Sequence, residues 1–259
     1  MQRTGSRKGI NRIAVFAMLA LGVGLTVTSG IYVSSFLAIL GVAIIFWGTI
    51  LLYITPTKHA PLTLLNASAL SNTSNIERIL SEHNVAQKGV YLPPQNLIPL
   101  ESSLIFVPEK PNQPLPKREN TIDQKLTANN QKGIFITPPG FALSKIFEQE
   151  LGISFTKTDL TYIREKLPKL LIETMELAEN VEIQTQNNTI ILQIVNNIFS
   201  GVCQETRKFP RTHETVGCLL PSAIACALAK ATGKPIVIAN EKQSQDNKTT
   251  VIEYQIVEE

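Results

Sequence analysis

Four side chains that can bind a metal ion fall within a 24-residue stretch near the end of the chain. They are three thiols and one imidazole: Cys203, His213, Cys218 and Cys226. Zinc accepts three cysteines and one histidine as a tetrahedral ligand set. The stretch has no Cys-x-x-Cys pair, however, and Cys226 lies in an apolar segment where a cysteine behaves as a small hydrophobic residue. The sequence therefore favours structural cysteines and keeps zinc binding as the alternative.

Cys203 and His213 could also form a nucleophile and its base. A nucleophilic pair needs a third group that orients the base, and no residue at a recognisable spacing supplies one. The sequence also has no P-loop and no dinucleotide-binding fingerprint. We therefore predict no catalytic residues and favour no cofactor. A binding protein is the main hypothesis, and a membrane-associated enzyme is the alternative.

Two short segments are candidates for the lining of a ligand pocket. Pro139 and Gly140 form a turn between a predicted strand and a predicted helix. Ser222 lies at the start of an apolar helix, where free backbone N–H groups can bind an anion. A plain turn and a helix cap are the alternatives for these residues. We keep Pro139, Gly140 and Ser222 as candidate ligand-binding residues.

The charge distribution excludes an electrostatic nucleic-acid binder. The 259 residues include 24 Lys and Arg, 21 Asp and Glu, and a net charge of +3. Residues 1–58 hold five basic residues and no acidic one, so the remainder of the chain is close to neutral. A nucleic-acid partner requires a basic stripe that neutralises phosphates. Three widely spaced cysteines likewise exclude a disulfide-rich secreted scaffold.

An uncharged run of 45 residues, 13–57, predicts two membrane helices. One span needs about 20 apolar residues, so the run accommodates two spans and a short turn. The most polar stretch of the run, residues 26–30, predicts the position of the turn. A cleaved signal peptide over residues 1–29 is the alternative, but a second apolar run follows it directly. The lipid bilayer is therefore the first predicted partner of the chain, through residues 13–57.

The charges that flank the run predict its orientation. Residues 1–12 form a basic tail, and Lys58 follows the second helix. Cytoplasmic flanks carry an excess of Lys and Arg, so both ends of the hairpin are predicted to face the cytoplasm. We expect a multi-pass protein of the cell membrane, with its N-terminus and its soluble domain in the cytoplasm.

The remainder of the chain predicts an α+β domain. Residues 58–73, rich in Pro, Thr, Asn and Ser, predict a juxtamembrane linker, and the domain proper covers residues 74–259. Residues 108–131 contain four prolines and few hydrophobic residues, and they predict a flexible segment within the domain.

Hydrophobic periodicity and Pro/Gly positions define the elements of this domain. Residues 196–215 are predicted to be irregular, and 240–248 to be a polar loop. The predicted elements are a helix over 74–83, strands at 88–92, 103–107 and 134–136, helices from 140 and 159, a hairpin over 181–195, an apolar helix over 221–232, and a hairpin of 236–239 with 249–257.

From residue 140 the order of these elements resembles the 4-vinyl reductase-type domain, a small α+β ligand-binding module. The closest local match is residues 217–238, where a Cys-containing apolar helix ends in Gly-Lys-Pro and leads into a strand. Residues 249–257 match the final strand. Metal-binding members of that family tend to carry cysteines in the last hairpin, and residues 240–257 have none. The whole chain, with a helical hairpin before a soluble domain, also resembles an archaeal-type membrane-protein family.

These observations together predict a membrane-anchored cytosolic binding or sensor module. The resemblance implies a small apolar ligand, and a protein partner or a second copy of the chain is the other expected partner. The alternative functions are a membrane-associated enzyme and a zinc-binding domain.

Overall fold

The computed structural model describes residues 12–54, 62–94, 103–111, 113–116 and 133–258. The chain divides into an N-terminal unit that ends at Pro61 and a C-terminal unit that begins at Leu62. Parts of three predicted segments lie outside the described residues. These are the basic tail up to residue 11, the linker at 58–61, and the flexible segment at 112 and 117–131.

Two apolar helices form the described part of the N-terminal unit: α1 (Arg12–Tyr32) and α2 (Ser35–Ile54). They pack closely because Gly41 has no side chain. A Cβ atom at Gly41 would lie 2.9 Å from the backbone nitrogen of Thr26 and 3.0 Å from the carbonyl oxygen of Gly22. Both helices are long and apolar enough to span a membrane, as the uncharged run predicts.

The turn between these helices lies at Val33 and Ser34, so the prediction of a turn at residues 26–30 is wrong. The polar residues of that stretch remain helical because their hydroxyl groups are satisfied locally. Thr26, Thr28 and Ser29 donate hydrogen bonds to carbonyl oxygens three or four residues earlier. Such local bonds remove the cost of placing hydroxyl groups in an apolar helix.

The C-terminal unit has an antiparallel seven-stranded sheet with helices packed against it, which confirms the α+β class. A π-helical turn over Leu170–Thr174 follows the proline-containing α5. The elements are α3 (Leu62–Glu82), β1 (Val90–Tyr91), β2 (Ile105–Pro108), β3 (Gly133–Ile136), α4 (Phe141–Leu151), a 3₁₀ turn (Phe155–Lys157), α5 (Leu160–Lys169), β4 (Asn180–Gln186), β5 (Thr189–Val195), α6 (Ser200–Thr206), α7 (Pro210–Val216), α8 (Leu219–Thr232), β6 (Ile236–Gln243) and β7 (Thr249–Ile256).

The sheet has the strand order β3-β2-β1-β6-β7-β5-β4. Strands β1 and β3 pair with opposite edges of β2. Tyr91 and Ile136 therefore both lie opposite Ile105. The terminal strands β6 and β7 occupy the centre of the sheet and join its two halves.

Helix α8 lies at the centre of the C-terminal unit. Every residue from 220 to 230 in it is buried, and it contacts α4 and α5 as well as strands β1 and β6. Residues Pro210–Thr232 are apolar enough to cross a membrane, but 83% of that stretch is buried inside this unit. Its apolar composition therefore serves the core of the domain. Gly233 ends α8 in the left-handed region, at φ 64°.

Three corrections to the predicted elements matter for the site. Helix α3 begins at Leu62, so most of the predicted linker is helical. The predicted irregular stretch 196–215 contains α6 and α7. Strand β6 continues to Gln243, into the predicted polar loop. Helices of seven residues are marginal alone, so α6 and α7 depend on tertiary packing that local periodicity does not report.

Candidate metal centre

Two thiols and one carboxylate meet between α6, the start of α8 and β6. The Sγ atoms of Cys203 and Cys218 and a carboxylate oxygen of Glu241 all lie within 4.8 Å of one another. Cys218 Sγ is 3.5 Å and 3.6 Å from the two carboxylate oxygens. Cys203 and Cys218 are 5% and 1% exposed, and the side chain of Glu241 is 4% exposed. Three metal-ligand side chains are therefore clustered away from solvent.

Gly217 places Cys218 in this cluster. It has φ 68° between α7 and α8, a conformation that L-residues with a side chain rarely adopt. A Cβ atom there would also lie 2.7 Å from Cδ1 of Ile238. Cys218 then has extended backbone angles as the N-cap residue of α8. The sharp turn at Gly217 thus lets two short helices and α8 converge on one point.

A β-bulge in β6 turns Glu241 toward the cluster. Ile238 pairs with Tyr254 of β7, whereas Glu241 pairs with Ile252, and the register shifts at Ala239. Tyr254 and Ile252 are two residues apart in a strand, so they face the same side of the sheet, and both are fully buried. The inserted residue therefore directs Glu241 to the buried face, where Asn240 would otherwise point.

His213 contacts the cluster through Glu241. Its Nε2 atom lies 3.4 Å from Oε1 of Glu241, and its side chain is 17% exposed. The imidazole falls outside the set of three mutually close ligand atoms. Among the described residues, Nε2 is buried without a hydrogen-bond partner of good geometry. When unprotonated, such a nitrogen can donate its lone pair to a metal ion.

Arg207 supplies the positive charge of the site. Its Nη2 atom lies 3.3 Å from Oε1 of Glu241, and Nη1 donates a hydrogen bond to the side chain of Gln243. Burial acts to raise the pKa of Glu241, but the close approach of His213 and the positive charge of Arg207 outweigh burial and hold this pKa below its ordinary value. The carboxylate is therefore ionised at neutral pH.

The thiol of Cys218 has the opposite tendency. The hydrogen bond to Cys203, burial, and the negative charge of Glu241 all raise the pKa of Cys218 well above its ordinary value. Without a metal ion this thiol is protonated and neutral at pH 7. A bound cation would reverse that preference, because metal ligation requires the thiolate.

Two of the contacts have the spacing of neighbouring ligands on a tetrahedral zinc-class ion. Zn–S bonds of about 2.3 Å and Zn–O bonds of about 2.1 Å separate sulfur from oxygen by about 3.6 Å, and two N/O ligands by about 3.4 Å. The Cys218–Glu241 and His213–Glu241 distances match these values. A divalent ion with two thiolates, one carboxylate and Arg207 would also form a group without net charge.

A small cavity adjoins the site beside Cys218. Its volume is about 40 Å³, and it is lined by residues of α3, α6 and the start of α8, together with Pro139. This volume holds a water molecule but not an organic substrate. The cavity therefore has room for a water molecule beside Cys218.

Cys226, the fourth predicted ligand, lies apart from this cluster. It is eight residues beyond Cys218 on α8, a rise of about 12 Å along the helix axis. Burial raises the pKa of Cys226 to about 12, so its thiol is a neutral group of the core. The structure thus brings together Cys203, Cys218 and, through Glu241, His213.

The sequence offered no signal for Glu241. Its position in a predicted polar loop made it one of several exposed acids. Only the continuation of β6 and the bulge at Ala239 give it a buried location.

Pro139, Gly140 and Ser222 form a tight contact between a turn and α8. The backbone N–H of Gly140 donates to Oγ of the fully buried Ser222 at 3.0 Å. A Cβ atom at Gly140 would lie 2.0 Å from the backbone nitrogen of Ala223, so no larger residue fits. Pro139 alone of the three lines the small cavity. The predicted ligand-binding role of these residues stays a prediction.

The fold and the site define a two-helix apolar hairpin followed by an α+β unit with a buried thiol–carboxylate cluster. The chain belongs to the family described as domain of unknown function DUF7982, whose model matches residues 1–255. No curated protein and no solved structure matches the chain. The matched range includes both the hairpin and the cluster.

Proposed function

We propose that this protein is a membrane-anchored binding module whose ligand is a zinc-class metal ion. Cys203, Cys218 and Glu241 bind the ion, and His213 supplies the fourth ligand. The observation that carries this proposal is the convergence of two buried thiols and an ionised carboxylate, whose ligand atoms lie within 4.8 Å of one another. The three residues come from α6, the α8 N-cap and β6, so the grouping is a product of the tertiary fold.

A carboxylate buried beside two thiols needs a compensating interaction, because an isolated buried charge is costly. Arg207 provides part of it. A structural hydrogen-bond network among these groups is the competing explanation, since a thiol also donates to a carboxylate at these distances. The buried Nε2 atom of His213 favours the metal, because a hydrogen-bond network alone leaves that atom without a partner of good geometry.

The site favours binding over catalysis. The small cavity beside Cys218 has room for water, and all three clustered side chains are buried. An enzyme would need access for a substrate at the open coordination position. A metal ion that is enclosed in this way supports a sensor or a metal-stabilised fold. In its broader form, the proposal is that the domain binds a small apolar ligand or a protein partner at another place.

We further propose that α1 and α2 span the cell membrane with both ends of the hairpin in the cytoplasm. The basic residues before α1 support this orientation. The reducing cytoplasm would also keep the three free cysteines as thiols.

Metal analysis of the full chain in detergent or nanodiscs tests the proposed site. We expect one zinc ion per chain, retained by Cys226→Ala and lost in Cys203→Ser and Cys218→Ser. The Co²⁺-loaded protein should show thiolate-to-metal absorption that both serine variants lack. Wild-type protein that binds no zinc at micromolar concentration would contradict the proposal. Equal loss of zinc in Cys226→Ala and Cys218→Ser would also contradict it.

A cysteine at exposed Ser81 tests the orientation in whole cells. Ser81→Cys should react with a membrane-impermeant maleimide only after the cells are permeabilised, with the three native thiols buried as background. Labelling of intact cells would place the C-terminal unit outside.

A further inference from the structure

We infer that α3, the helix that follows the membrane hairpin in sequence, regulates metal affinity at this site, with Glu77 as the positioning residue. This inference rests on the proposed metal site. The hairpin connects to α3 through residues 55–61, and α3 packs against both α6 and α7. These two short helices carry Cys203 and His213.

Glu77 is bonded to the residue next to His213. Its Oε2 atom accepts hydrogen bonds from the backbone N–H and from the hydroxyl group of Thr212, each at 2.7 Å. Thr212 is the third residue of α7 and is 1% exposed. The first N–H groups of a helix have no partner within the helix, and a carboxylate there is favoured by the helix dipole. Glu77 therefore caps α7 from a separate element.

A second part of α3 reaches the cavity beside the site. Asn72 and Thr73 line this cavity together with Cys218 and two residues of α6. The carbonyl oxygen of Thr73 also accepts a bond from the Thr212 hydroxyl, at 3.5 Å. Thr73, Ile76 and Leu80 form the buried stripe of α3. Helix α3 thus borders the site and is hydrogen-bonded to α7, the helix that carries the proposed ligand His213.

This arrangement couples metal binding to the position of α3. A metal ion at this site would bind residues of α6 and α7, and α3 contacts both of these helices. Coupling between metal binding and the packing of α3 is reciprocal. If the metal ion strengthens the packing of α3, then displacement of α3 weakens metal binding by the same factor.

The charges of α3 provide a matched control. Arg78 and Glu82 form an exposed pair on the opposite side, with a 3.8 Å separation and side chains 70% and 64% exposed. Exposed pairs of this kind contribute little to stability. Glu82→Gln therefore changes the charge of α3 without touching α7.

Competition titration of the full chain with a chromophoric zinc chelator, in nanodiscs, tests the inference. We expect Glu77→Ala to weaken zinc affinity by about 10- to 100-fold, as loss of a group supporting a metal ligand does. Glu77→Gln, which keeps an acceptor oxygen, should recover part of this loss, and Glu82→Gln should match wild type. Thr212→Val keeps the backbone bond and should show a smaller loss, which covers the case that Glu77→Ala does not fold.

Hydrogen exchange distinguishes coupling from a purely structural helix cap, because a structural cap would not make exchange in α3 depend on zinc. Addition of zinc should slow amide exchange across residues 73–80 in wild type, and not in Cys218→Ser. The inference fails if Glu77→Ala and Thr212→Val bind zinc as tightly as wild type. It also fails if the addition of zinc leaves amide exchange in α3 unchanged. Wild type that binds no zinc would instead overturn the proposed function itself.

Discussion

Zinc binding to this protein should strengthen steeply as pH rises. The metal-free site holds a protonated Cys218, because the hydrogen bond to Cys203, burial and the charge of Glu241 raise the pKa of that thiol. The pKa of Glu241 is lowered, so its carboxylate is already ionised and releases no proton. The metal-free state therefore binds more protons than the loaded state, and a fall in pH favours the metal-free state.

The number of protons released sets the size of the effect. Each proton displaced by the metal changes the dissociation constant about tenfold per pH unit, which is about 1.4 kcal/mol. Release from Cys218 alone predicts a change of about 100-fold between pH 6 and pH 8. A slope of this size would show that Cys218 binds the ion as a thiolate.

Titration calorimetry in buffers of different ionisation enthalpy measures the released protons directly. Chelator competition from pH 6 to pH 8 measures the slope. Cys218→Ser should abolish zinc binding, whereas Cys226→Ala should retain the wild-type slope, since this residue is outside the cluster. An affinity that is independent of pH, or that rises as pH falls, would refute the argument that neutral thiols become ligands.

Three further predictions concern packing in the C-terminal unit. Gly140→Ala should lower stability by at least about 1–3 kcal/mol, because the new Cβ would lie 2.0 Å from the Ala223 nitrogen; an unchanged melting temperature would show that the turn can move away. Lys230→Ala should cost about 3–5 kcal/mol in denaturant unfolding, because Lys230 Nζ lies 2.8 Å from Oε2 of Glu148 and both side chains are at most 15% exposed; adding Glu148→Gln should recover part of this, and no recovery would refute the charge argument. Ala227→Leu should lower the melting temperature, since Ala227 is fully buried on α8; an unchanged value would mean that α8 has space on that side.

The amino-acid sequence by itself determined the elements whose patterns are long and local. The 45-residue uncharged run predicts the two apolar helices, since only such composition permits a membrane span. The apolar composition of α8 predicts a helix without a polar face, and every residue from 220 to 230 in it is buried. Gly152 and Gly233 mark the ends of α4 and α8 through their left-handed angles. These features depend on neighbouring residues alone.

The sequence did not predict the short or polar elements correctly. Residues 26–30 predicted a turn because three hydroxyl groups made them polar, but those groups bond within α1. Likewise α3 begins inside a polar stretch, and α6 and α7 have seven residues each. Helices of this length gain their stability from burial against other elements, so their own sequence does not predict them.

The candidate site was likewise predicted only in part from the sequence. The residue types alone singled out Cys203, His213 and Cys218, because thiols and imidazoles are uncommon and chemically distinctive. Their meeting point at Glu241, and the separation of Cys226, were decided by tertiary structure. One inserted residue in β6, Ala239, reverses which side of the sheet Glu241 faces, and the φ of Gly217 sets the direction in which Cys218 enters α8. Side-chain direction changes by half a turn with a single residue of register, which is why no local pattern could assign the carboxylate to the thiols.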